Sequence, residues 1–229
     1  ILKEDNGVKR KLSKRKDPEA QMSYYREKGI PVKAVELYLM TLANTNFEQW
    51  WDANKDKTID DFKYDFKKTS KSGGLFDVEK LNNISKNYLA RIKATDFYDM
   101  LVNYAKVYDN EFYEIITKHK NLTIGLLNIE REQKKPRKDY ASFSEVKELV
   151  WYMYDELFNN REKNYEFTSV TNKDEIILIM NSYIQKYYDE NDDQSTWFDK
   201  IKDLSEELGY AREVKEYKEN PNKYKGHVG

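Results

Sequence analysis

Apolar residues recur every three or four positions over most of the chain, a spacing that predicts helices. The exception comes first: residues 1–29 repeat at neither helical nor strand spacing and are expected to form a loop. After Gly29, Pro31 suits the first position of a helix, Val35, Leu39 and Leu42 space its apolar face, and Asn44 can end it. A short helix through Phe47, Trp50 and Trp51 follows, and Ile59, Phe62 and Phe66 give Thr58 to Lys68 helical spacing. Lys71-Ser72-Gly73-Gly74 is the clearest break, where a subdomain boundary is expected. Beyond it, Asp77 can cap a helix with Leu81, Ile84, Tyr88 and Ile92 on one face, and Phe97, Leu101, Tyr104 and Tyr108 continue the period in the next.

A second break, Lys134-Lys135-Pro136-Arg137-Lys138, is basic and contains proline. Ser142 with Glu145 then spells a capping box before a helix carrying Val146, Leu149, Val150, Met153 and Leu157. Ile176 to Tyr188, an acidic connection, and a helix through Trp197, Ile201, Leu204 and Leu208 complete the pattern, with Ser195 or Thr196 as a cap and Gly209 as a stop. No repeat of fixed period is present. The expected fold is all-α, with about eight to ten helices.

Composition supports that fold and removes several kinds of chemistry. Of 229 residues, 39% are hydrophobic and 14% aromatic, enough to build a core despite a charged fraction of 35%. Eight Gly and four Pro are few for a β-sandwich or barrel. The chain has no cysteine and only two histidines, His119 and His227, so disulfides, thiolate metal sites, cysteine nucleophiles and multi-histidine metal sites are excluded. No metal site is expected. There is no signal peptide and no apolar run near the roughly 20 residues that span a bilayer, so a cytoplasmic protein is expected.

Charge is balanced overall at −1 but not locally. Val8 to Lys16 holds six cations in nine residues, and Lys11, Lys14 and their neighbours could grip a polyphosphate. From charge alone, a solvated basic tail or a nuclear-localisation-like patch is the commoner explanation of such a run. The acidic stretch from Asp189 fails as a calcium loop, since Gln194 and Lys200 stand where glycine and a bidentate glutamate are needed. Gly73-Gly74 lacks the lysine and hydroxyl that follow a phosphate-binding glycine loop. Tyrosines beside cations, among them Tyr24-Tyr25, Tyr187-Tyr188 and Tyr217, are the mixture that stacks unpaired bases, though tyrosine also fills helix interfaces.

The opening stretch, Ile1 through Lys11-Leu12-Ser13-Lys14-Arg15 to Ala20, resembles the second signature loop of class I aminoacyl-tRNA synthetases, in the form found in bacterial glutamyl-tRNA synthetases. The resemblance continues through Tyr24 to Pro31, Tyr38 to Asn44, Ser72 to Asp77 with Lys80-Leu81, and Trp197-Phe198-Asp199-Lys200-Ile201 to Gly229. It implies that residues 1–20 are the end of a catalytic domain, 21–72 a stem-contact helical region, and 73–229 a helical anticodon-binding region, with a possible subdivision near 134–141. It further implies that Lys14 is catalytic, contacting the ATP phosphates, within a loop formed by Lys11, Leu12, Ser13, Lys14 and Arg15.

The implied ligands are the tRNA for glutamate, with ATP, magnesium and L-glutamate in the parent enzyme. A monomer is expected, with no membrane and no DNA partner. Arg91, Arg131, Arg137, Arg161 and Arg212 are candidate tRNA contacts because arginine can stack on bases and fork hydrogen bonds to them. The resemblance is least between about 103 and 195, so no anticodon reader is transferred. The histidine-rich first signature, the parallel sheet and the glutamate pocket of the family are missing, and Ile1 starts within the loop. A fragment of a longer ligase, truncated at its end and inactive alone, is therefore expected. The rival of another class is a non-enzymatic helical adaptor that binds protein partners through aromatic helix faces.

Overall fold

The structure is a computed structural model and describes residues 1–54, 57–69, 73–161, 166–167 and 170–227. Lys71 and Ser72 of the expected break, and Val228 and Gly229 of the last matching stretch, lie outside the described residues. The chain divides into two compact units, residues 1–161 and 162–229. Twelve α-helices and one two-stranded sheet are present among the described residues, a mostly helical fold.

The first unit opens with a correction. Residues 1–29 are not a loop throughout: β1 (Leu2–Asp5) and β2 (Val8–Lys11) pair antiparallel, with Leu2 opposite Lys11 and Asp5 opposite Val8. Asn6 and Gly7 join them with φ of 50° and 80°, the positive values that a tight hairpin turn needs at both central positions. Neither strand carries an apolar face, so period-two spacing was invisible; the Asn-Gly pair was the available signal. α1 (Met22–Lys28) follows and ends at Gly29, whose φ is 69°.

α2 (Val32–Ala43) begins one residue after Pro31 and buries Ala34, Val35, Leu37 and Tyr38; Leu39 is exposed instead of inward. α3 (Phe47–Ala53) is as expected, but Thr58 to Lys68 is not a helix. It forms two single 3-10 turns, Ile59–Asp61 and Phe66–Lys68. Asp61 closes the first onto Thr58, while the Asn44 amide donates to the Asp65 carbonyl at 2.8 Å and holds the second. Of the expected apolar face, Ile59 and Phe62 are half-buried, Phe62 lying 5.1 Å from the Phe47 ring centre; Phe66 is 86% exposed.

α4 (Val78–Leu89) is capped by Asp77 as expected, the carboxylate accepting from the Glu79 and Lys80 amides at 2.9 and 3.0 Å. Leu81 packs with Tyr25, Ile30, Val35 and Tyr38 in one apolar cluster. A larger cluster joins α5 (Ala94–Tyr108), α6 (Asn110–Lys118), α7 (Lys120–Leu127), α8 (Ser144–Val150) and α9 (Asp155–Asn160) around Phe97, Leu101, Phe112, Ile116, Leu127, Val146 and Tyr154. Each such side chain contributes about 1.5–3 kcal/mol by leaving water.

The capping box at Ser142 is not formed. Glu145 reaches back to the Ala141 amide at 2.8 Å, and the Ser142 hydroxyl meets Ser144. The helix expected to run on to Leu157 is interrupted by a 3-10 turn at Trp151–Met153 and restarts at Asp155, which leaves Leu149 and Met153 exposed.

Gly29 fixes how these pieces meet. A Cβ there would lie 2.8 Å from the Tyr104 ring and 2.9 Å from the Phe143 Cβ, and the Gly29 carbonyl accepts from the Phe143 amide at 2.9 Å. Gly29→Ala combines left-handed strain with overpacking, so a loss of about 2–3 kcal/mol is expected in urea unfolding. An unchanged midpoint would show that α1 and Phe143 separate freely.

The second unit holds α10 (Lys173–Ser182), continued by a wider π turn at Tyr183–Tyr187, then α11 (Gln194–Glu207) and α12 (Val214–Glu219). α11 is capped by Asp193, which accepts from the Thr196 amide at 2.7 Å, rather than by Ser195 or Thr196, and Gly209 follows with φ of 85°. Ala211 lies beside His227 in an isolated parallel bridge, and the Tyr210 hydroxyl donates to Glu175 at 2.8 Å.

Candidate functional site

β2 delivers Lys11 into the turn Leu12-Ser13-Lys14-Arg15-Lys16, and the turn is built around Ser13 and Asp17. The Ser13 carbonyl accepts from the amides of Lys16 and Asp17 at 3.1 and 2.8 Å, and its own amide donates to the Asp17 carboxylate at 2.8 Å. The Ser13 hydroxyl accepts from the Arg15 amide at 3.4 Å. The Gln21 amide donates to the Lys14 carbonyl at 3.1 Å.

Asp17 is 1% exposed, and Arg10 meets it with two parallel bonds of 2.7 Å. Lys3 adds a second cation at 3.5 Å from Asp17 and also bonds Glu19. Arg10 and the Ser13 amide hold the Asp17 carboxyl well below the usual carboxylate range, and Asp17 and Asp5 raise the Arg10 guanidinium. This is the geometry in which arginine binds carboxylate most strongly. Sequence reading missed Lys3, Arg10, Asp17 and Glu19, because charge counting treats the run as a set of equal cations.

The outcome is a division of labour within the basic run. Arg10 faces inward and is neutralised. Lys11, Lys14, Arg15 and Lys16 are exposed, and their side chains have no ion-pair partner among the described residues. Four cations thus project from a turn whose backbone is fixed underneath.

The hairpin is also tied to the region before α4. The Leu2 amide donates to the Gly74 carbonyl at 2.8 Å and the Phe76 amide to the Leu2 carbonyl at 2.7 Å. Gly74 is needed there, since a Cβ would sit 2.8 Å from that of Leu42. Next along, the Asp77 amide donates to the Tyr38 hydroxyl at 2.6 Å.

The five candidate arginines are dispersed. Arg131 is buried, donates to the Leu127 and Ile92 carbonyls at 2.6 and 3.1 Å and to that of Leu89, and lies over the Phe97 ring at 5.1 Å. Arg137 bonds Asp139 at 2.7 Å. Arg161 bonds Glu148 at 3.1 Å and stacks on Trp151 at 4.4 Å. Arg212, in the second unit, is paired with Asp203 and lies 3.6 Å from Glu206. The Arg91 side chain is exposed and unpaired among the described residues.

His119 has the partner that sequence could not reveal, Glu156 at 2.8 Å. Bonds from Lys118 and His119 lower the Glu156 carboxyl to about 2. Among the described residues no group of three or more His, Asp or Glu side chains is arranged to hold a metal ion, and no helix is long and apolar enough to cross a membrane.

The glutamate–tRNA ligase of Acetivibrio thermocellus is 45% identical to this chain over 229 residues, all of it. The chain belongs to the glutamate–tRNA ligase family. The ligases of Clostridium perfringens strain 13 and Clostridium beijerinckii match over the whole chain too, at 44% and 39% identity. The chain spans 41%, 42% and 41% of those three proteins, about two fifths of their length. The matches include the stretch between about 103 and 195 where individual motifs are weakest. No family model and no solved structure matches the chain.

Proposed function

We propose that this chain is the tRNA-binding part of a glutamate–tRNA ligase and carries the loop that closes over ATP. In this reading residues 1–20 supply that loop, 21–72 contact the tRNA stem and 73–229 form the anticodon-binding region. The observation that carries it is the Lys11–Lys16 turn, with unpaired cations outside and a carboxylate-clamped backbone inside, in a chain similar to these ligases from end to end.

The reaction needs positive charge at that place. A carboxylate oxygen of L-glutamate bonds to the α-phosphorus of ATP, the bond to the bridging oxygen breaks, and pyrophosphate leaves. Lys14, at the tip of the turn, stabilises charge that develops on the departing phosphates. Lys11 and Arg15 shape the local field, and Leu12 and Ser13 hold the turn; magnesium bound together with ATP would add positive charge against the developing negative charge. The parent enzyme is a cytoplasmic monomer that transfers the activated glutamate to its tRNA.

Among the five arginines, Arg91, Arg137, Arg161 and Arg212 offer surface for RNA, while Arg131 is occupied internally. Phosphate contacts fix position and base contacts give selectivity. The purified chain is expected to bind the tRNA for glutamate, more weakly at higher salt, and more weakly again when the anticodon is swapped. The same chain should give no glutamate-dependent exchange between ATP and pyrophosphate. Absence of binding to either RNA would favour the helical adaptor, and a clear exchange signal would end the division of roles proposed here.

A further inference from the structure

The basic segment after α7 takes no part in the turn described above, yet it builds a concave surface. Asn87 near the end of α4, residues 90–93 just after it, and residues 131–136 with Lys138 line a cleft of about 660 Å³. The Arg137 amide donates to the Glu130 carbonyl at 3.1 Å and closes the loop, with Glu130 at φ of 49°. Arg91, Lys93, Lys134, Lys135 and Lys138 line the cleft and are exposed. None of the five side chains has an ion-pair partner among the described residues, and Glu132 is the single acid on the lining.

The floor is rigid. Arg131 ties the Leu89 and Ile92 carbonyls, at the end of α4, to the Leu127 carbonyl at the end of α7. Its guanidinium also neutralises the partial negative charge of the α4 terminus, so the outward cations set the field in the cleft. The Arg137 side chain takes no share, being held by Asp139.

We infer that this cleft binds the phosphodiester backbone of RNA, away from the anticodon bases. The assignment rests on the tRNA-binding reading above and adds a second point of contact to it. Repeated, separate cations suit a string of phosphates, each needing one charge. An acidic protein segment would also need large apolar anchors, and the apolar lining of the cleft is limited to Ala90, Ile92 and Pro136. Lysine-dominated contacts of this kind add affinity without reading sequence.

The test neutralises Lys93, Lys134 and Lys135 together to Gln in the full chain, beside a control with Lys106, Lys215 and Lys218 changed in the same way. Binding to the tRNA for glutamate and to its anticodon-swapped form is measured across a salt series. The cleft variant is expected to bind both RNAs about tenfold or more weakly, with the ratio between them kept, and to lose about 2–3 from the slope of log affinity against log salt. The control should lose markedly less. Circular dichroism and melting of both variants verify that they fold.

Selective tRNA binding by the unmodified chain, with the same slope in the cleft variant and the control, would overturn the cleft assignment alone. No tRNA binding by the unmodified chain would overturn the function reading and this inference with it. Competition by poly-aspartate as strong as by an RNA duplex of equal charge would replace RNA with an acidic protein partner.

Discussion

Arg131→Met is expected to destabilise the unit formed by residues 1–161 by about 3–5 kcal/mol, because two buried carbonyls and a partly buried one lose their donor at once. Methionine replaces much of the aliphatic stem over Phe97, so lost packing is the smaller part. The carbonyls of Leu89, Ile92 and Leu127 would then need water that the closed loop does not readily admit. Arg131→Lys keeps the charge but supplies a point donor in place of a fork, and an intermediate loss is expected. Urea unfolding followed by tryptophan fluorescence reads this unit well, since Trp50, Trp51 and Trp151 lie in it and only Trp197 lies in the other. A loss below about 1 kcal/mol would mean that the ends of α4 and α7 part and hydrate at little cost.

Asp17→Ala is expected to release the Lys11–Lys16 turn while leaving the helices intact. The substitution removes the acceptor of the Ser13 amide and leaves Arg10 without its forked partner. Trypsin cuts after exposed lysine and arginine, and the turn holds Lys11, Lys14, Arg15 and Lys16. Cleavage there should accelerate about tenfold to a hundredfold, with exchange of the Ser13 amide rising in step. Arg10→Lys should act in the same direction but less strongly. Equal cleavage rates in the variant and the parent chain would show that Gln21 and the hairpin suffice to hold the turn.

Acid should reproduce the Asp17 effect. The folded carboxyl titrates below its unfolded value of about 3.9, so its contribution is complete above that pH and is lost as pH falls further. Between neutrality and about pH 5 the turn should keep the same protection.

The helical half of the fold follows from spacing alone where one face is buried and both ends are punctuated. α4 is the clearest example, with Asp77 as a cap and Leu81 fully buried. Spacing misled at Thr58 to Lys68, where Asp61 and Asp65 capped short turns before a second helical turn could form. The same competition defeated Ser142, because Glu145 found the Ala141 amide first. Leu149, within α8, and Met153, in the turn at Trp151–Met153, share a helical period with buried neighbours and yet are exposed.

At the site, the basic run was visible as charge, but its internal order was not. Arg10 and Lys14 look alike in a list of cations, and only a buried Asp17 distinguishes the one that is clamped inward from the one that stays exposed. The hairpin offered the pair Asn6-Gly7 as its only mark. The arginines show the converse. Chemistry alone made Arg131 a candidate for RNA, whereas long-range packing placed it under Phe97 and three carbonyls.

The bonds between Leu2 and the Gly74–Phe76 segment place the basic turn on a contact that closes very late in sequence. β1 and β2 can find each other locally, but their attachment to the body must await α2 and α4, against which Gly74 and Phe76 settle. Contacts of such separation carry a large entropic delay. During synthesis the cationic turn therefore emerges before α2 and α4 and is secured only after those helices have been made. A ribosome-bound chain would pass through a stage with helix α2 formed and the turn still unanchored, a window in which a protease or a polyanion meets it.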